Sequence, residues 1–406
     1  MIWDVRRGLL IALMLCASSM VYAQLDPYPR EYVQVGYYKE VIGHAPISGY
    51  GLYYLNDPQF SGSNVVLRAA VAPVYVDGEL GLKDALGPNT DLGFGLNGGG
   101  FAFNYNEMRM GKWYREESWT GHGGGASVSL YHLFNPGDRI PLYGLLRGSV
   151  QQTINIRDDT TAPNFVIPEN QPMMTVRTGV RYGGQEFDLI PAMGMELSAW
   201  YEGQLRLENG PYGYGGNRSI NPSSHLFWGR ALLEYTLPKI EHRFSVALNA
   251  GTTIHPDRFS AYRVGGLLSL TSEFPYTLPG YYFGELSTRN LILLTGFYEL
   301  PIDHAHHWRV GAGASTAVFG YTPGVYQANN WNSGVGAGIS YQGPGDRLKV
   351  SLNYGYGIDA LRSGERGGHA VAIAVQLDLE KSRAGVPGTT YGPDRPSFIQ
   401  RLMRAL

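Results

Sequence analysis

Cysteine is nearly missing from this chain: Cys16 is the only one in 406 residues. No Cys pair is available, which excludes a disulfide-stapled secreted domain. Charge is scarce too, at 16% with a net charge of −2, so neither a nucleic-acid partner nor a strongly acidic substrate is indicated. After the N-terminus no apolar run approaches the roughly 18 residues of a membrane helix, and mean hydropathy is −0.18. Membrane helices are thereby excluded. Membrane strands are not, because their apolar residues are hidden by alternation. The sequence also contains no Gly-x-Ser-x-Gly elbow, no Walker loop and no His-Glu-x-x-His pair. Asp303, His304, His306 and His307 in "DHAHH" form its one imidazole cluster. They lie in an expected turn with nothing to support a metal, and a solvated turn is the reading adopted.

What is present begins with an export signal. Residues 1–23 carry Arg6 and Arg7, an apolar stretch over 8–15 and a Val21-Tyr22-Ala23 cleavage site before Gln24. Leu15 precedes Cys16 where a lipid-attachment signal has Gly, Ala or Ser, so a lipoprotein is discounted. Removing the signal takes away two arginines and one aspartate, leaving a net charge of −3. Export without disulfides fits a bacterial envelope protein.

Glycine is abundant at 55 residues, and tyrosine (29) far outnumbers phenylalanine (15). In "RLKVSLNYGYGID", residues 347–359, Leu348, Val350, Leu352, Tyr354 and Tyr356 share one parity, while Arg347, Lys349, Ser351, Asn353 and Gly355 share the other. A period of two is a strand with one oily and one wet side. "RFSVALNAG", "MELSAWYEGQLRLE", "MTVRTGVRY" and "HAVAIAVQLDL" repeat the pattern. A soluble sandwich would also alternate. Here, however, the wet parity mixes Arg, Glu and Gln with many Gly, Ala and Ser, the blend of an enclosed polar lumen. Candidate lumen-facing residues are Arg177, Arg181, Glu196, Glu202, Arg206, Arg243, Arg347, Lys349 and Asp378. They could line a pore, or form a hydrogen-bonded wall that fills the interior.

Strands are expected near 47–55, 64–76, 90–104, 122–134, 140–154, 172–183, 186–207, 223–237, 241–254, 286–300, 307–319, 333–342, 346–357 and 368–379. Many exceed the five or six residues usual in sandwiches and approach the 9–11 that cross a bilayer. Connections tend to alternate between short ("NPGD", "GGQ", "PKIE", "IDHAH", "QGPG") and long (155–171, 208–222, 255–285, 320–332, 358–367). That is the pattern of tight periplasmic turns and long external loops. The stretch 77–89 is too long for a tight turn and fits poorly. Phe101, Phe103, Tyr105, Trp113, Tyr114, Tyr281, Tyr282, Tyr321 and Tyr326 lie near strand ends, where an aromatic girdle is expected. The fold expected is therefore an all-β, closed antiparallel transmembrane barrel of about fourteen strands, within twelve to sixteen. Its organisation reads as signal 1–23, periplasmic leader 24–45, barrel 46–379 and a tail 380–406 with a short helix in "PSFIQRLMRAL".

The last third goes further. "AYRVGGLLSLTSEFPYTLPGYYFGELSTRNLILLTGFYELPI" (261–302) and "SGVGAGISYQGPGDRLKVSLNYGYGID" (333–359) resemble the C-terminal barrel of the bacterial surface antigen superfamily, over roughly 241–379. That group includes outer-membrane protein insertases, two-partner secretion transporters and patatin-barrel fusions. Arg263, Gly265 and Gly266 match the opening of the family's inward-folding loop, and Gly280 and Tyr281 match its tip. Residues 298–301, 334–336 and 354–357 match later elements, and five strands follow the loop. Pro279 stands where the family has the tip arginine, and no acid is found near Ser315 or Thr316, where its partner should be. Losing both ends of a buried pair together is coherent. The expectation is a loop that still enters the lumen, held by packing and backbone hydrogen bonds. The family's polypeptide-transport-associated and patatin domains have no room before the first expected strand, so client recognition would need a separate partner.

The resemblance implies a non-enzymatic outer-membrane barrel serving passage, export or envelope assembly, with no cofactor. Its expected partners are outer-membrane lipid and lipopolysaccharide, the outer-membrane insertion machinery and an unidentified periplasmic or secreted protein. A plain porin or structural barrel is the first alternative, and an outer-membrane enzyme with a rim or lipid-face site the second.

Overall fold

The computed structural model describes residues 29–379, apart from 47, 62, 63, 102, 139, 186, 187, 192, 238 and 269–272. The expected export signal (1–23) and the expected C-terminal tail (380–406) lie outside the described residues. Sixteen antiparallel staves make up the wall. They are β1 (Arg30–Glu40), β2 (Ser48–Asp57), β3 (Val65–Ala72), β4 (Tyr75–Leu82), β5 (Thr90–Gly99), β6 (Lys112–Leu133), β7 (Leu142–Ile156) and β8 (Gln171–Gln185), followed by β9 (Met193–Arg206), β10 (Ser223–Thr236), β11 (Arg243–Ile254), β12 (Leu286–Pro301), β13 (Trp308–Tyr321), β14 (Trp331–Gln342), β15 (Leu348–Arg362) and β16 (Glu365–Asp378). Each pairs with its neighbours in sequence, and β1 pairs with β16 from Tyr32↔Asp378 to Glu40↔Ala370. The sheet thus closes on itself. Closure leaves no unpaired edge, the condition for a sheet to stand in hydrocarbon.

The oily parity points outward. Val33, Val35, Leu146, Val150, Val176, Val180, Leu197, Leu248, Ile292, Leu352 and Ile373 are all exposed, while the residues between them turn inward. An exposed apolar belt of this extent suits lipid rather than water. The rim holding the turns 58–64, 83–89, 134–141, 186–192, 237–242, 302–307 and 343–347 is the short-turn rim, periplasmic in outer-membrane barrels. The opposite rim carries the longer excursions 100–111, 157–170, 207–222 and 255–285.

Two strands exceed the expected fourteen. Residues 30–40, placed in the periplasmic leader, are β1, and the expected single strand 64–76 runs instead as β3 and β4 joined by Pro73 and Val74. Both were masked for physical reasons. In β1 the inward parity carries Tyr32 and Tyr38, so the two faces look alike in hydrophobicity. In β4, Asp77, Gly78 and Gly81 weaken the strand signal that Leu80 and Leu82 supply. The awkward stretch 77–89 is therefore half stave and half turn. The "GGQ" turn is also corrected: Gly183, Gly184 and Gln185 extend β8. The long loop 358–367 is likewise a continuation of β15 and β16, turning only at Ser363 and Gly364, both at positive φ (55° and 90°).

The expected girdle is corrected in part. Tyr105 is buried in an external cap, and Tyr281 and Tyr282 are buried inside the barrel. Nearness to a strand end cannot tell a chain that leaves the rim outward from one that turns inward. Outward aromatics are instead Tyr37, Tyr182, Phe227, Tyr298, Trp308, Trp331 and Tyr354.

Candidate functional site, a lumen occupied by an inward loop

The connection 255–285 leaves β11, pairs briefly with β12 (Tyr262↔Thr288 to Val264↔Leu286) and then turns into the barrel. Gly265 and Gly266 make that turn at φ 137° and 91°. Side-chain-bearing residues rarely adopt such angles, and a β-carbon on Gly265 would strike the Tyr282 carbonyl. The loop's neck is pinned by Gly265 N donating to Tyr276 O (2.9 Å) and Leu278 N donating to Gly266 O (3.1 Å).

The first arm carries Glu273 and Phe274 to the middle of the lumen. Glu273 ion-pairs with Arg181 and, at 3.8 Å, with Arg177, both on β8. Arg177 also binds Glu202 of β9 (2.7 Å), while Glu196 of β9 gathers Arg181 (3.4 Å), Arg230 of β10 and the Ser198 hydroxyl (2.6 Å). Phe274 sits edge-on to Trp200 and Trp228, with centroids at 5.7 and 5.8 Å, and the Arg230 guanidinium lies 5.1 Å from its ring. Three arginines and three glutamates, all buried, thus alternate around one aromatic plug. Buried charges persist only when paired in this way.

The second arm, Pro279 to Glu285, lies along a floor of glycines. Gly334 and Gly336 of β14 face Pro279, and Gly355 and Gly357 of β15 face the Gly280 backbone. Gly280 has φ 80°, and a β-carbon there would collide with the backbones of Gly357 and Gly368. The resemblance-bearing Gly-Val-Gly and Tyr-Gly-Tyr-Gly segments are therefore where the wall is thin enough for a peptide chain to lie against it. Arg362 of β15 clamps this arm. It pairs with Glu285 (2.9 Å), donates to the Gly280 carbonyl (3.0 Å) and stacks over the Tyr282 ring (3.6 Å). Tyr281 donates to Asn332 (3.1 Å), and its own carbonyl accepts from the Tyr38 hydroxyl. The loop does enter the lumen, but the expectation that packing and backbone bonds alone hold it is corrected. Acids on the loop meet arginines on the wall.

The other expected residues are distributed along the barrel. Arg263 turns away from the lumen wall, toward the Tyr105 ring (5.0 Å) and the Asn106 carbonyl (3.4 Å). Arg206 binds Asp257 (2.9 Å) beneath the external loops, and Arg243 binds Glu299 (2.8 Å) toward the periplasmic end. Lys349 is buried between Asp188 and Asp378. Arg347 does not face the lumen: it precedes β15 in the turn and is exposed, because its strand begins one residue later. His306 pairs with Glu241 (3.0 Å). Sequence reasoning missed Glu273, Phe274, Arg230, Glu285 and Arg362. Only Arg230 carried a usable signal, the wet parity of "HLFWGRALLEY".

Above the loop, residues 105–109 and 112–119 form a hairpin over the external mouth. Met110 N donates to Gln327 Oε1 (2.8 Å) in the β13–β14 connection, and Gly111 packs on Leu361 of β15. Tyr105, Trp119, Phe165, Tyr212 and Ile220 form its apolar base. Glu107 lies within this cap. Burial alone would raise its carboxyl, but Arg258, a hydrogen bond from Tyr105 and Arg218 outweigh burial and hold it below the usual range.

No family model and no curated protein matches this sequence. Solved structures do match the fold. CdiB from Acinetobacter baumannii aligns with TM-score 0.55 at 11% identity over 87% of this chain and 60% of its own. BamA from Haemophilus ducreyi lacking POTRA domains 1-3 aligns with TM-score 0.54 at 12% identity over 86% of this chain and 71% of its own. This chain therefore spans less than two thirds of that CdiB structure. At such identities the likeness is one of fold: a closed antiparallel barrel similar to those of BamA and CdiB, both outer-membrane barrels.

Proposed function

We propose that this chain is an integral outer-membrane barrel of the surface-antigen kind, closed at rest, whose lumen opens for export or envelope assembly when the 255–285 loop is displaced. The observation that carries this reading is the seating of Glu273 and Phe274 among Arg177, Arg181, Arg230, Trp200 and Trp228. A plain porin needs a permanently open path, whereas here Glu273 and Phe274 of the loop are bound to the inner wall of β8 to β10. The lock is polar and reversible. Ion pairs separate on rehydration, and the polar lumen offers the freed arginines water in return. Lipid and lipopolysaccharide contact the outer belt in this reading. A periplasmic or secreted protein supplies the client, and no catalytic step is assigned.

Single-channel conductance in planar bilayers tests this. The intact chain is expected to show rare, small openings, and deletion of residues 273–282 to give large sustained ones. A large constitutive conductance in the intact chain would establish the porin alternative. An unchanged closed state after the deletion would remove the loop as the gate.

A further inference from the structure

The periplasmic mouth holds a feature that the inward loop does not explain. The described part of the β8–β9 turn does not hang below the rim, as a short turn would. Its described residues Asp188 to Pro191 fold up into the mouth and reach the β15–β16–β1 seam. In a sixteen-stave barrel that seam stands eight staves from the β8–β9 junction, on the far side.

The attachment is specific. Asp188 ion-pairs with Lys349 of β15, which Asp378 also holds at 3.6 Å. The Gln376 amide of β16 donates to Asp188 Oδ1 (3.3 Å), and its oxygen accepts from Leu189 N (2.9 Å) and from Gln34 of β1 (3.0 Å). Leu189 packs, with Leu267 of the inward loop, against an apolar cluster formed by Tyr38, Leu268, Ala370, Ala372 and Ala374. Three alanines in succession on the inward face of β16 leave the room that Leu189 and the loop occupy. Pro191 accepts from Arg243 (3.0 Å) on its own side of the barrel. Beside Ile190 and Pro191 lies a cavity of about 370 Å³, bounded by Glu241, His306, His307 and Gly345. The segment therefore has space to swing into without repacking the wall.

We propose that Asp188–Pro191 is a strap across the periplasmic mouth, a second constriction that narrows the path left open when the inward loop is displaced and that releases separately from it. This rests on the reading of a gated lumen and adds its periplasmic control: a client or partner arriving from that side meets the strap first. The bonds are suited to release. Asp188→Ala leaves Lys349 its second carboxylate, so the strap can part without stranding a buried charge.

The test uses the full chain reconstituted in bilayers. Asp188→Ala with Leu189→Ser, combined with the 273–282 deletion, should raise mean conductance at least threefold above the deletion alone. In the otherwise intact chain the closed level should stay unchanged. A deletion that opens fully, with nothing added by the strap variant, overturns the strap and leaves the loop reading standing. A second readout does not depend on the loop tip. With Cys16 the only native cysteine, Ala374→Cys reports access to the face beneath Leu189. The strap variant should speed its labelling by a charged maleimide at least tenfold, and Ala372→Cys repeats the measurement should the first site fold poorly. Equal labelling rates with and without the strap variant reject the strap whatever the loop deletion does.

Discussion

Arg362 on β15 and Glu285 at the end of the inward loop lie 2.9 Å apart, with both side chains 2% exposed. In the surface antigen superfamily, which the sequence resembles, the loop tip carries an arginine and the wall an acid. Here Pro279 stands at the loop tip, and the buried pair has the opposite polarity, with the acid Glu285 on the loop and Arg362 on the wall. Neither charge can be removed alone without penalty, because an orphaned charge in an enclosed site is costly.

That cost gives a double-mutant expectation. Arg362→Met alone strands Glu285 and should destabilise loop docking by about 3–5 kcal/mol. Arg362→Met with Glu285→Leu removes both charges and should recover most of the loss. The temperature at which the folded gel band converts to the unfolded one measures both. Equal losses in the single and double variants would show that the pair is not the clamp.

The glycine floor predicts a positional contrast. Gly355→Val puts a branched side chain where the Gly280 backbone and Pro279 lie, so the loop cannot seat and the channel should stay open most of the time. A β-carbon at Gly148 or Gly296 meets no atom within 4 Å. Gly296→Ala should therefore leave conductance unchanged. Closed channels in Gly355→Val would mean the loop seats elsewhere.

How far the sequence carried depended on where hydrophobic contrast existed. In "RLKVSLNYGYGID" the outward Leu348, Leu352 and Tyr354 stand against Lys349, Ser351 and Asn353, and the faces are legible. In β1 both faces hold tyrosine, and in β4 glycine and aspartate blur the period, so two staves went unread. The loop's anchors Glu273, Phe274 and Glu285 sit in irregular backbone, where no period exists to mark them. Glu273's partners Arg177 and Arg181 did stand on the wet parity. Periodicity reports which side of a wall a residue faces and is silent on what the wall holds.

The external cap should loosen in acid. Glu107 is held below the ordinary glutamate value of about 4.3 by Arg258, Tyr105 and Arg218 against the opposing effect of burial. A lowered carboxyl contributes stability that is full above the unfolded value and fades as pH falls through the folded one. The hairpin should thus stay seated from neutrality to about pH 4 and detach below it. Trp119 stacks on Tyr105 at 4.4 Å, so its fluorescence should red-shift in that range and the shift should vanish in Trp119→Phe. A cap equally stable in Glu107→Gln at pH 7 would show that the carboxylate is not what seats it.

Assigning one face to lipid and the other to the lumen can be tested on two adjacent residues of β15. Leu352 is exposed on the outer belt, paired with Ile373 and Ile339, whereas Asn353 faces inward beside Gly338. A lysine on the lipid face near the bilayer midplane costs about 2–4 kcal/mol. Leu352→Lys should lower folding stability in vesicles by that amount, read from denaturant unfolding. In Asn353→Lys the ammonium can extend through polar surroundings, and the loss should stay below about 1 kcal/mol, the cost of a tolerated lumen change. The two substitutions differ by one residue along the chain and add the same side chain, so the change in net charge cancels between them. The main remaining difference is the solvent each face meets. A larger loss at Asn353 than at Leu352 would mean the wall is inside out.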